Sequence, residues 1–148
     1  MNHPPPPESE SSAPRVVVSN RQDFTVDESG LAALAERVLA GEGAPEGELS
    51  LSFVSTDEME QLHERYAGED GPTDVLAFPM GEEGMLGDVV ICPAEARRNN
   101  EDVEEELRLL VVHGTLHLLG HDHEDEDARR KMWSKQERYS SVRLEGEQ

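Results

Sequence analysis

This chain of 148 residues predicts an α+β fold, a mixed sheet of about four strands with about five helices packed on it. Three observations carry that reading. Runs with the two-residue period of strands alternate with runs of helical period. Two strand-like runs, residues 74–78 and 86–92, follow one another with only a turn between them. Residues 103–119 are apolar nearly all round, as a helix inside a core must be.

The elements follow in order. Residues 1–14, with the Pro4–Pro7 run followed by Glu and Ser, bury too little apolar area to offset their ordering entropy and read as a disordered tail. A single domain is expected over residues 15–148. Arg15–Asn20 has the β-branched run of a short strand. Asp27–Ala40 places Leu31, Leu34, Ala35 and Val38 at helical spacing, with Gly41 as its stop. Leu49, Leu51 and Phe53 alternate with Ser50 and Ser52, a half-buried strand. Ser55 and Glu58 are spaced as a capping box for a helix to about Tyr66.

Gly68–Thr73 is turn chemistry. Asp74–Phe78 is a strand that Pro79 ends or confines to an edge, and Leu86–Cys92 is the fourth strand. Pro93 suits the first turn of a short helix, Pro93–Asn99. The acidic residues of 101–106 complement the dipole of the helix Val103–Leu119. Asp125–Ser141 reads as a last, amphipathic helix with Met132 and Trp133 facing inward.

A formal net charge of −20 excludes a protein that grips nucleic acid with a broad basic surface, because phosphate neutralisation supplies most non-specific affinity. No stretch approaches the ~20 apolar residues of a membrane span, and the start lacks the basic and apolar regions of a signal peptide. A cytoplasmic protein is expected. The single cysteine, Cys92, has no partner for an internal disulfide and reads as a small buried apolar residue.

Residues 113–123 read HGTLHLLGHDH and hold four of the six histidines. His113 and His117 are four positions apart, so on a helix both rings project from one face and reach one ion. Gly120 can close the helix in the left-handed conformation and reverse the chain, which returns His123 toward the first two. Three neutral imidazoles with a fourth, open position suit zinc, which puts a metal site on the central helix. His121 competes with His123 for the third place. The spacing HxxxHxxGxxH resembles the three-histidine arm of the metzincin peptidases and favours His123. The glutamate that follows the first histidine in those enzymes is Gly114 here, which removes their general base. Asp122 reads equally as an outer partner that orients an imidazole or as an exposed turn residue.

At these residues the chain resembles the YbeY family of bacterial rRNA-maturation endoribonucleases, whose signature is HGxLHLxGYDH; the tyrosine position is His121 here. GPTDVLAFPM, residues 71–80, is similar to the family's PTDVLSFP segment, and LGDVVIC, residues 86–92, to the strand before its metal helix. The resemblance implies one zinc ion per chain held by His113, His117 and His123. It implies a hydrolase directed at single-stranded RNA, acting in 16S rRNA 3′-end processing and ribosome quality control. Two positions depart from the family pattern: an arginine of many members is Ala67 here, and the serine of VLSFP is Ala77. Both bear on substrate contacts and leave the metal site untouched.

Three functions compete. In metal-dependent RNA hydrolysis, Arg65, Arg97 and Arg98 are candidate phosphate contacts, although Arg97 and Arg98 read equally as exposed helix ends. Asp74 would position water or substrate, with turn capping the commoner role for an Asp so placed, and Asp122 stands beside Arg65 and Asp74 as a catalytic candidate. The second reading is a ribosome-biogenesis binding factor with a structural or weakly catalytic zinc. The third, a metallopeptidase, is disfavoured by Gly114. The acidic surface suits small-subunit ribosomal proteins that present rRNA to the site, and no membrane partner is expected.

Overall fold

The strand and helix periods of the sequence are realised in a computed structural model that describes residues 14–68, 71, 73–80, 84–121 and 125–141. The strands are β1 (Arg15–Arg21), β2 (Glu48–Val54), β3 (Val75–Pro79) and β4 (Met85–Ile91). The helices are α1 (Glu28–Gly41), α2 (Thr56–Ala67), α3 (Pro93–Asn99), α4 (Val103–Leu118) and α5 (Glu126–Ser140). Among the described residues the fold is therefore the expected α+β arrangement of four strands and five helices, with every boundary within two residues of its expected place. The tail expected at residues 1–14 lies outside the described residues except for Pro14. None of the described helices is long and apolar enough to cross a membrane.

The sheet order is β1-β2-β4-β3. β1 pairs parallel to β2, with Val18 opposite Leu51, and β2 pairs parallel to β4, with Leu51 opposite Val89. β3 turns back antiparallel on β4, with Ala77 opposite Val89, and forms an edge. Pro79 is the last residue of that edge strand, where a missing N–H costs no ladder bond. Gly87 sits in β4 at φ +145°, and a Cβ there would lie 2.5 Å from the carbonyl oxygen of Phe78. The Leu-Gly-Asp step is thus a place where two backbones come unusually close.

Period-two alternation gives the sheet two covered faces. On one, Leu49, Leu51, Val89, Ile91 and the half-buried Val75 and Ala77 pack with α1, α4 and α5. On the other, Val54, Val90 and Cys92 pack with Met59 and Leu62 of α2. Cys92 is fully buried, as a small apolar residue would be. Ser55 caps α2 by accepting from the Glu58 N–H, but the Glu58 carboxylate goes to Arg21 at 2.7 Å, so the capping box is used in one direction only.

α4 lies centrally, touching β3, β4, α1, α3 and α5. Asp102 caps its start, accepting from the Glu105 N–H at 3.1 Å. Its end is closed by a pair of bonds, Gly120 N–H to His117 O at 3.0 Å and His121 N–H to Leu116 O at 3.1 Å. With Gly120 at φ +104°, this is the glycine-closed helix terminus that the histidine motif calls for. One inward-facing expectation needs correcting. Met132 of α5 is fully buried, but Trp133 is only partly so, with the Arg129 guanidinium 5.6 Å from its ring centroid. Successive helical positions point about 100° apart, so the two side chains do not share one face.

Candidate metal centre

The four-residue step from His113 to His117 does what helical geometry demands. The two rings project together, their centroids 6.3 Å apart and their planes within 6° of parallel. Both line a cavity of about 210 Å³ with Gly114 and with Val75, Leu76 and Ala77 of the edge strand. The half-buried VLA segment of the PTDVL block therefore forms the wall opposite the histidine helix.

Each ring is oriented from behind. Nδ1 of His113 donates to Oε1 of Gln136 at 2.6 Å, and Nδ1 of His117 donates to the main-chain oxygen of His121 at 3.2 Å. Both partners are oxygen acceptors, so Nδ1 is the protonated nitrogen of each ring in these bonds. That is the donor form that zinc takes, with the outer partner fixing tautomer and ring plane. The chemistry of the pair fits a borderline-soft divalent ion. Among the described residues no group of three His, Cys, Asp or Glu side chains is gathered. His123 and Asp122, read from the sequence as third ligand and outer partner, lie outside the described residues.

His121 is turned elsewhere. Its Nε2 meets Oε1 of Glu42 at 3.0 Å, and the same carboxylate accepts from Lys135 at 3.0 Å and from the Tyr139 hydroxyl at 2.8 Å. Burial alone would raise the Glu42 carboxyl, but the hydrogen bonds from Lys135, Tyr139 and His121 outweigh it and hold it below the usual glutamate value.

Gly114 explains how α4 approaches the sheet. A Cβ at this position would lie 2.7 Å from Cγ1 of Val89 and 3.2 Å from Cγ2 of Val75. A glutamate there, as in the metzincin peptidases, has no room. The position that lacks a general base is the one that seats the helix.

The other candidates stand apart from the cavity walls. Asp74 accepts from Asn99 at 3.0 Å in the turn that leads into β3. Arg65 lies exposed on α2, its guanidinium 5.9 Å from the ring centroid of the exposed Tyr66. Arg97 lies 5.9 Å from the Phe24 ring, and Arg98 pairs with Glu95 at 3.4 Å. Gln136 and Glu42 were absent from the sequence reading. A polar side chain at position 136 amid the buried face Met132, Gln136 and Tyr139 is the one signal that pointed to the first. Glu42, in a Gly- and Glu-rich turn, gave none.

A sequence model of the family described as Endoribonuclease YbeY matches residues 17–142. An endoribonuclease YbeY of Beutenbergia cavernae is 46% identical over 87% of this chain and 97% of its own length. One from Acidothermus cellulolyticus is 44% identical over 82% of this chain and 86% of its own. A Thermotoga maritima protein solved in solution superposes with a TM-score of 0.62 at 32% identity, covering 85% of this chain and 87% of that one.

Proposed function

We propose, from the premise that this chain belongs to the YbeY family of endoribonucleases, that it cuts single-stranded rRNA in a zinc-dependent way, at the 3′ end of 16S rRNA and in ribosome quality control. The supporting observation is the pair of parallel imidazoles lining one cavity, each with Nδ1 bound to an oxygen. His113, His117 and His123 hold one zinc ion. The engagement of His121 with Glu42 favours His123 as the third ligand. When bound, the metal supplies Lewis acidity, acidifying a water and polarising a phosphoryl oxygen.

The chain's own residues do the rest. Val75, Leu76 and Ala77 present an apolar wall that limits water around the reacting phosphate. Asp74, held by Asn99, sets the turn from which that wall begins, and Asp122 orients an imidazole of the metal set. On the far side of the edge strand, the exposed Tyr66 ring beside Arg65 offers a stacking face and a cation to a single-stranded nucleotide. Arg65 takes the phosphate-binding role that Ala67 vacates.

With a net charge of −20, the protein approaches RNA slowly unless salt screens it or a basic partner presents the substrate. Small-subunit ribosomal proteins in the cytoplasm fill that role. The test incubates single-stranded 16S 3′-end fragments with wild type and with His117→Ala, each with and without small-subunit proteins, after metal analysis of both. Zinc at one per chain in wild type alone, with cleavage that the basic proteins raise, supports the reading. Equal cleavage by both proteins, or equal zinc, overturns it.

A further inference from the structure

Glu42 lies 79 residues from His121 in the chain, at the end of α1, yet its side chain is only 8% exposed and receives bonds from three other residues. Its backbone is fixed as well, since its N–H closes α1 on the Val38 carbonyl at 2.9 Å. Gly41 makes room for the arrangement: a Cβ there would lie 2.2 Å from the Tyr139 hydroxyl, which is thereby free to reach Glu42. Lys135 meets both carboxylate oxygens at 3.0 Å, and Tyr139 meets Oε2 at 2.8 Å. Those contacts suffice to brace α1 against α5. The bond to His121 reaches a different element, the turn that closes α4.

His121 is the residue whose main-chain oxygen accepts from Nδ1 of His117. That bond, at 3.2 Å, is at the long end of the normal range, so a small shift of the turn would lose it. The His121 N–H is tied to Leu116 O, and the residue follows Gly120 at φ +104°, a conformation with few intrinsic constraints on what comes next. An anchored imidazole supplies the constraint that the glycine cannot.

We propose that Glu42 is a positioning residue of the metal site: by gripping the His121 ring it fixes the turn whose carbonyl orients His117. This rests on the zinc reading above. The effect passes through one side chain, so Glu42 touches neither metal nor substrate. Because a carboxylate with both oxygens engaged is needed, Gln at position 42 keeps one acceptor and restores part of the effect, and Ala keeps none.

The experiment measures zinc affinity of the full chain by competition with a chromophoric chelator for wild type, Glu42→Ala, Glu42→Gln, His121→Ala and the Glu42→Ala/His121→Ala double variant. Loss of a partner bound directly to a ligand weakens metal binding by about 10–100-fold; Glu42 acts one contact further out, so a loss of about 10-fold is expected for Glu42→Ala, with Glu42→Gln in between. If Glu42 acts through His121, the double variant binds no more weakly than His121→Ala alone. A second measurement follows the His117 ring in the metal-free proteins by nitrogen NMR: wild type holds the proton on Nδ1, and Glu42→Ala gives a mixture of tautomers. Wild-type zinc affinity in Glu42→Ala, or in Glu42→Gln should the alanine variant not fold, overturns the proposal and leaves Glu42 a helix brace. Additive losses in the double variant overturn it too. A wild type that binds no zinc sinks the metal reading itself, and an unchanged His117 tautomer then sinks the positioning role separately.

Discussion

Two glutamates near opposite ends of α4 carry the same carboxyl group into opposite surroundings. Glu106, in the first turn, is half-buried beside Asp74 and Glu105, and burial followed by their negative charge raises its carboxyl above the usual value. Glu42, beside the turn that ends the helix, is half-buried too, yet a lysine, a tyrosine and a histidine hold its carboxyl below that value. The first end obeys a local rule, negative charge at a helix start, and tolerates repulsion as its cost. The second is assembled from side chains remote in sequence. The two parallel rings sit at the assembled end, where His113 and His117 each have a partner behind them.

The largest effect should come from attacking that end directly. Exhaustive chelation, or His117→Ala, is expected to abolish zinc binding, lower the melting temperature of the metal-loaded protein and bring RNA cleavage to background. Unchanged metal content in His117→Ala would erase the contrast between the two ends. Next, Gln136→Leu keeps the volume but strands the His113 Nδ1–H. Zinc affinity should fall by about 10–100-fold, measured by chelator competition, while the helix remains seated. Gly114→Ala tests the seat instead, forcing a methyl onto Val89 and Val75. It should destabilise the fold by about 1–3 kcal/mol in denaturant melts.

The smallest effect belongs to the acidic end. A glutamate raised in the folded state binds its proton more readily there than when unfolded, so its ionised form costs stability at neutral pH. That cost disappears as pH falls through the raised value and is gone below the ordinary value of 4.5. Glu106→Gln should therefore be the more stable protein at pH 7 and lose its advantage on acidification, as paired thermal melts would reveal. An advantage that grows toward acid would mean that Glu106 is stabilised in the fold, and the two glutamates would no longer differ.

How far these features were legible follows the same division. Alternation in Leu49, Leu51 and Phe53, the cap at Ser55, the stop at Gly120 and the facing pair His113 and His117 are all short-range, and each stands where its spacing places it. Gln136 meets His113 across 23 positions and Glu42 meets His121 across 79, and no period in a sequence encodes such pairs. Trp133 was misplaced because size suggested burial where the helical angle assigned Met132. Gly114 was legible as a missing base but not as a packing device, since its neighbours Val75 and Val89 become visible only once the sheet is formed.

The position of Gln136, Lys135 and Tyr139 in the last described helix has a consequence for the order of synthesis. A chain made as far as residue 121 contains the segments of all four strands, the central helix and both facing histidines, but neither Gln136 behind His113 nor the two α5 donors that steady Glu42. Chains fold from the N-terminus as they leave the ribosome, so the rings acquire their orientation only when the final helix docks. The orientation of both rings is therefore a late event in folding, set by tertiary docking rather than by the helix that carries them.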